Sequence, residues 1–218
     1  MNFGSRDSLV GVFFLISFLS VLPAILIMFT SFTRIVIVLS FMRQAIGGQQ
    51  IPPNPVIIGL SIFLTLFIMS PTINTITADA VNPYMARQIN MQQALQQAAP
   101  PIKSFMLRQT RQKDLALFVK IARQDGQLGD AAVKSPGDLP LRVVVPAFVI
   151  SELKTAFEIG FLIYLPFLVI DMVVSSILLS MGMMMLPPVL ISLPFKLLLF
   201  VLVDGWNLVT SSIIRSFH

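Results

Sequence analysis

An all-α membrane protein is the fold class the sequence predicts, with four kinked hydrophobic helical segments forming two hairpins around a helical hydrophilic insert. Three observations carry this reading. Apolar residues make up 56% of the 218 and charged residues only 11%, with a mean hydropathy of +0.86; a soluble domain is roughly a quarter charged and could not hide so much apolar surface. The apolar residues gather in two blocks, each long enough to cross a bilayer of about 30 Å twice at ~1.5 Å per residue. The charges gather between them: nine of the fifteen Lys and Arg, and four of the ten acids, lie in residues 81–145.

The first hydrophobic block, residues 9–76, opens with a segment over residues 9–42, interrupted by Pro23 and Arg34 and ended by Gly47-Gly48. It is far longer than the 7–15 residues of a signal-peptide core and lacks a small-residue cleavage site, which marks it as structural. Pro52-Pro53-Asn54-Pro55 makes a stiff turn before a short second segment over residues 56–69, which is expected to stop at Ser70-Pro71. The insert, residues 82–141, is expected to hold two helices, over 91–99 and 102–123, separated by Pro100-Pro101. Leu115, Phe118 and Val119 at i, i+3, i+4 give the second of these a small packing face. Loops are read at 125–130 and 135–138. In the second block, residues 146–215, a third segment runs to about residue 180 with a kink at Pro166, and a fourth spans 187–214 with Pro194 inside it.

Several chemistries are excluded. The chain has no cysteine, which removes disulfides, thiolate metal sites and thiol nucleophiles. Its one histidine, His218, cannot build a metal cluster or a triad within one chain. The cations of the insert stand singly among Gln and Ala without aromatic interleaving, unlike a nucleic-acid footprint. Ser151 and Lys154 are i, i+3 neighbours, but spacing alone supplies neither an oxyanion hole nor a place for water. No catalytic residue, metal ligand or cofactor is expected, and the chain is not read as an enzyme.

The informative residues are charges in apolar surroundings and a methionine cluster. Glu152, Lys154, Glu158, Asp171, Lys196 and Asp204 all lie in hydrophobic stretches, where a charge at the bilayer centre costs about 3 kcal/mol on insertion scales. Lys154 and Glu158 can pair at i, i+4. Glu152 and Lys196 are then unmatched in their own helices and need partners from another segment or another copy; pairing with each other is the simplest solution. Asp171, Asp204 and Arg34 are further candidates for buried polar groups, although Arg34 and Arg43 can also snorkel to an interface, and Trp206 can anchor there. Such charges can clamp helices, relay protons or ions, or set subunit register and gate opening. Met181, Met183, Met184 and Met185 put four flexible, polarizable side chains into five residues, at a Gly-bearing turn before Pro187-Pro188. They can fill a core, or, as copies around an axis, form a compliant ring that stops water and ions yet yields to a polypeptide.

Phe29-Thr30-Ser31-Phe32-Thr33-Arg34-Ile35, Gln50-Ile51-Pro52-Pro53, Pro146 through Ser151-Glu152-Leu153-Lys154 to Phe157, Ile170-Asp171, Met181-Gly182-Met183-Met184-Met185, and Leu193-Pro194-Phe195-Lys196-Leu197 to Asp204-Gly205-Trp206 together resemble the FliP family, flagellar type III export-gate subunits with virulence-injectisome relatives. The resemblance covers nearly the whole chain. It implies a pentamer of FliP-like chains that assembles with FliQ-like and FliR-like subunits, and with other export-apparatus and basal-body proteins, into a closed channel in the bacterial inner membrane through which flagellar proteins pass unfolded. It further implies that the methionine loop is the gasket of that channel and that Glu152 and Lys196 bridge adjacent subunits. Flagellar members usually carry a cleaved signal peptide, and a start so close to the first hydrophobic segment is expected for a mature or leaderless form. The positive-inside rule would put the nine-cation insert in the cytoplasm, but at about 60 residues it is where that rule loses hold, and the family's periplasmic placement is expected instead. A virulence-injectisome subunit, and a secondary transporter or ion channel with broken helices and midplane carboxylates, are the alternative readings.

Overall fold

The computed structural model describes residues 6–47, 51–126, 128, 135–183 and 185–217. Helices account for nearly all of them, and no strand occurs among the described residues. The first block makes α1 (Arg6–Phe29), α2 (Phe32–Ile46) and α3 (Asn54–Ile76). Pro23 and Arg34 both lie inside helices; the interruption falls between them, at Thr30-Ser31, where the chain bends by 78°. Hydroxyls make that bend possible. Thr30 Oγ1 donates to the carbonyl of Leu26 and Thr33 Oγ1 to that of Ile27 at 2.6 Å, so the last carbonyls of α1 are satisfied without a continuing backbone. Gly47, at φ +88°, ends α2 in the left-handed conformation.

α3 does not stop at Ser70-Pro71. It runs through Pro71 into a π turn (Thr77–Val81) and a short α4 (Asn82–Met85), because the continuation buries Thr72 and Ala80 and packs on the insert. The insert likewise breaks elsewhere than expected. α5 (Met91–Gln109) starts at a capping box, Asn90 Oδ1 accepting from the Gln93 N–H at 2.8 Å and Gln93 Oε1 from the Asn90 N–H at 2.9 Å. It then passes through Pro100-Pro101, since ending there would release Phe105 and Met106 from the core. The break comes at Thr110-Arg111: the Thr110 N–H and Oγ1 both donate to the Met106 carbonyl, at 2.9 and 2.7 Å, and the Arg111 N–H leaves the helix to donate to Ser151 Oγ at 3.1 Å. α6 (Gln112–Gln124) follows.

α7 (Leu141–Ser180), 40 residues long, is the axis of the fold, and α2, α5, α6 and α8 (Pro188–Leu202) all pack on it. Pro146 and Pro166 lie within α7 and Pro194 within α8. The fourth segment bends by 64° at Val203-Asp204, beyond Pro194, and continues as α9 (Gly205–Arg215). The core lies where Ile35, Val38, Leu39 and Met42 of α2 meet Val144, Phe148 and Ala156 of α7, capped by Phe105 and Met106 of α5 and Ile213 of α9. Gly160 is required there, because a Cβ would lie 2.7 Å from the Phe41 ring. Two helices, residues 54–85 and 141–180, are long and apolar enough to cross a membrane, and each bent pair can supply one span more. Large apolar side chains along the distal half of α7 and along α8, among them Leu162, Val169, Leu198 and Val201, are exposed on the single chain.

Candidate functional site

The methionine cluster sits at the tip of the α7–α8 hairpin. Met181 caps α7, and Gly182 follows at φ +73°. The Gly182 N–H donates to the Leu179 carbonyl at 3.0 Å and the Met183 N–H to that of Leu178 at 2.9 Å. These two bonds make a Schellman motif, which closes the helix and turns the chain outward at a defined residue. Met181 is 65% exposed, Met183 40% and Met185 97%; Met184 lies outside the described residues. The thioethers are therefore presented rather than packed, on a backbone turn that is itself fixed.

The hairpin is braced below that tip. Lys196 of α8, buried, donates from Nζ to Asp171 Oδ2 of α7 at 2.6 Å, and Ser192 Oγ donates to Asp171 Oδ1. The carboxylate thus ties two helices with both oxygens. Lys196 also faces the end of α2: a Cβ on Gly47 would lie 3.8 Å from its Nζ, where the carbonyl end of the helix favours a cation.

Glu152 belongs to a second cluster. Arg34 is 2% exposed and Glu152 0%; Arg34 Nε donates to Glu152 Oε2 at 2.8 Å and Nη2 donates to Oε1. Nη1 donates to the Ser216 carbonyl at 2.7 Å and to Ser216 Oγ at 3.0 Å, and Nη2 also donates to Gln109 Oε1 at 3.2 Å. The guanidinium lies 3.8 Å from the centre of the Phe217 ring, and Gln109 Nε2 donates to the Phe217 carbonyl at 3.0 Å. One buried arginine on α2 thereby joins α5, α7 and the segment after α9. Within one chain Glu152 and Lys196 do not pair with each other, and each takes a partner from another helix, Arg34 and Asp171. Arg34 is buried rather than interfacial, and Arg43 donates to Asn54 across the turn between α2 and α3.

Lys154 and Glu158 pair at 3.5 Å on an exposed face. Asp204 is exposed, caps α9 without a side-chain bond, and holds φ at +49°; Trp206 beside it packs edge-on against Phe200 at 5.6 Å. Ser151 is buried and serves structure, donating to Asp114 Oδ2 of α6 at 2.7 Å. Arg111 Nε donates to the same oxygen at 2.8 Å. Burial works against the Asp114 carboxylate, but the hydrogen bonds from Ser151 and Arg111 and the charges of Arg111 and Lys154 outweigh it and hold its pKa below the usual value. Gln109, Asp114, Ser216 and Phe217 carry no periodicity or motif that singles them out, and Gln109 and Asp114 lie in the polar run Arg108-Gln109-Thr110-Arg111-Gln112-Lys113-Asp114, where a polar identity marks nothing. Among the described residues no group of three or more His, Cys, Asp or Glu could hold a metal ion.

The profile of the FliP family matches residues 15–213. The chain is 57% identical to flagellar biosynthetic protein FliP of Bacillus subtilis (strain 168), over 97% of this chain and 93% of that protein. It is 54% identical to the protein of the same name from Aquifex aeolicus (strain VF5), over 97% and 87%, and 52% identical to that from Pectobacterium carotovorum subsp. carotovorum, over 94% and 77%. With a family match over nearly its whole length and relatives sharing more than half of its residues, this flagellar, helical membrane chain belongs to the FliP family.

Proposed function

We propose that this chain is a core, channel-forming subunit of the flagellar type III protein export gate, passing unfolded proteins across the bacterial inner membrane. The observation that carries the reading is the methionine turn: flexible apolar side chains presented at the tip of a hairpin that Asp171, Lys196 and Ser192 hold rigid. A seal on one chain has nothing to close against, so the tip calls for copies of itself around an axis, as in a pentamer with FliQ-like and FliR-like subunits. Thioethers from each copy then close the lumen without fixing one packing, excluding ions while accommodating side chains of any shape. Met181, Met183, Met184 and Met185 are the gasket residues. Glu152 and Lys196 act by bracing the helices behind it, and the exposed Lys154–Glu158 pair is what the chain offers a neighbouring copy. The insert lies on the periplasmic side.

The test is conductance. Purified complex carrying Met183→Ala, Met184→Ala and Met185→Ala, reconstituted in planar bilayers, is expected to leak ions that the unaltered complex holds back. Unchanged conductance with the multi-copy complex intact by native mass spectrometry refutes the gasket. A folded domain fused to an exported protein stalls a protein gate and leaves an ion transporter running, which separates the two readings. A cysteine replacing the exposed Gln92 is expected to react with a membrane-impermeant thiol reagent in outer-permeabilised cells.

A further inference from the structure

We propose that a cleft between the π turn and α5 receives the exposed face of α6 from a second copy of this chain. The inference deepens the export-gate reading and rests on its ring of copies.

The cleft has a volume of about 950 Å³. Its walls are largely apolar, with Pro71, Ala78 and Ile89 among them, but hydrogen-bond acceptors open into it. Pro100 and Pro101 have no N–H to give to the carbonyls of Gln96 and Gln97, and all four residues line the cleft. Asp79 lines it too; it is exposed on the π turn and makes no hydrogen bond or ion pair among the described residues. Arg108 lies at the same cleft, 3.4 Å from Ser104 Oγ. The site therefore offers apolar walls, the unpaired Asp79 carboxylate with the Arg108 guanidinium at the same cleft, and two residues whose carbonyls lack a helical donor.

α6 presents the complement. Its buried Asp114 and Ala122 face α7. At ~100° per residue, Lys113, Leu117, Lys120 and Gln124 share the outward face, Ile121 stands at its edge on the Asp114 side, and all five are exposed. Leu117 and Ile121 are large apolar side chains at i, i+4, flanked by ammonium groups of Lys113 and Lys120 that have no partner among the described residues. Asp125, at the end of the helix, is the one exposed acid nearby on α6's own boundary. The two surfaces are separate: the cleft forms where α5 packs on the π turn, whereas α6 packs on α7. A surface and its complement at different places on one molecule give a head-to-tail contact, which repeats around a ring, and not a two-fold dimer.

The chain has no cysteine, so introduced thiols report without background. Full-length chain with Asp79→Cys and either Lys113→Cys or Lys120→Cys would be co-expressed with its partner subunits, purified in detergent, oxidised mildly and run on non-reducing gels beside its native mass spectrum. At least one double variant is expected to give a reducible ladder of linked chains up to the full ring, with no ladder from any single variant. A multi-copy complex in the mass spectrum without a ladder from either double variant overturns the docking but leaves the export gate standing, as does a crosslink from Asp79→Cys to a partner subunit in place of this chain. Absence of any multi-copy complex overturns both. Independently, Asp79→Lys is expected to lose the multi-copy complex and Lys113→Asp with Lys120→Asp to restore it; persistence of the complex in Asp79→Lys, at unchanged salt sensitivity, refutes the charge contact.

Discussion

Replacing Glu152 by Leu roughly keeps the volume of the buried node around Arg34 and removes its carboxylate charge. Both partners are essentially inaccessible, Arg34 at 2% and Glu152 at 0% exposure, so the guanidinium left behind has neither water nor counter-ion. Breaking a buried pair on one side costs about 3–5 kcal/mol, and Arg34→Met, which strands the carboxylate, should cost a similar amount. The double variant Arg34→Met with Glu152→Leu strands no charge. What it does orphan are the Ser216 carbonyl and the Gln109 amide oxygen, which Arg34 now satisfies, at about 1–3 kcal/mol each. The double variant should therefore be roughly as stable as either single one, which means a coupling of about 3–5 kcal/mol in the cycle. Detergent unfolding followed through the fluorescence of Trp206, the one tryptophan, measures it. Additive losses, with coupling below ~0.5 kcal/mol, would show that water or another group reaches the node and would refute the account of it.

Asp114→Asn removes a carboxylate that accepts from Ser151 and Arg111 and should weaken the docking of α6 on α7 by about 1.5–3 kcal/mol, seen as faster proteolysis within α6. Because the folded chain holds the Asp114 pKa below its ordinary value, its contribution is complete at neutral pH and is lost as pH falls through the folded-state pKa. The protection of α6 amides, taken relative to the intrinsic exchange rate at each pH, should thus fall in acid and stay flat from neutral to alkaline pH. Gly205→Ala places a Cβ 2.2 Å from the Phe200 ring; overpacking of about 1–3 kcal/mol is expected, relieved when Phe200→Leu is added, and an additive loss would mean the ring does not move. Asp204 stands at φ +49° with no capping bond to lose, so Asp204→Gly should raise stability by about 1 kcal/mol, read as a higher unfolding midpoint.

Composition and block length made the class legible, because burying or lipid-facing so much apolar surface leaves no soluble solution. The same arithmetic found which ionisable side chains had to be satisfied. Finding their partners was another matter. Lys154 and Glu158 are i, i+4 neighbours and pair as periodicity says, but Arg34 and Glu152 are 118 residues apart and Lys196 and Asp171 are 25 apart on different helices. No local period encodes either pair; they follow from α2 and α8 both packing on α7. Ser216 and Phe217 were invisible for the same reason, since they contribute backbone carbonyls and a ring to a site made elsewhere. The breaks were misplaced systematically. Pro71 and Pro100-Pro101 were expected to end helices and do not, while the bends come at Thr30-Ser31, Thr110-Arg111 and Val203-Asp204. At the first, a threonine hydroxyl takes over a helix carbonyl, and at the second a threonine hydroxyl shares one with its own backbone N–H while the next N–H leaves for Ser151. A proline removes one bond, but packing on both sides can keep the helix running; a hydroxyl that offers the carbonyl another donor lets it stop.

The prolines that remain inside the apolar helices bear on what surrounds the chain. Pro23, Pro71, Pro166 and Pro194 leave the carbonyls of Leu19, Phe67, Leu162 and Leu190, four residues earlier, without a helical donor. Each of these prolines and each of these residues is exposed on the single chain. Hydrocarbon cannot satisfy a carbonyl, and helix interruptions persist at membrane depth where protein or a water-filled cavity supplies the donor. These faces are therefore expected to meet neighbouring chains or a lumen once assembled. Pro166→Ala tests this, because it restores an N–H to the Leu162 carbonyl and removes a ring clash, worth about 3 kcal/mol in a helix interior. The isolated chain in detergent should gain most of that. The assembled complex, in which the carbonyl already has a donor and the kink is part of the fit, should gain little or lose stability. Equal stabilisation of chain and complex would mean that α7 faces the same surroundings in both, and that its proline face makes no contact on assembly.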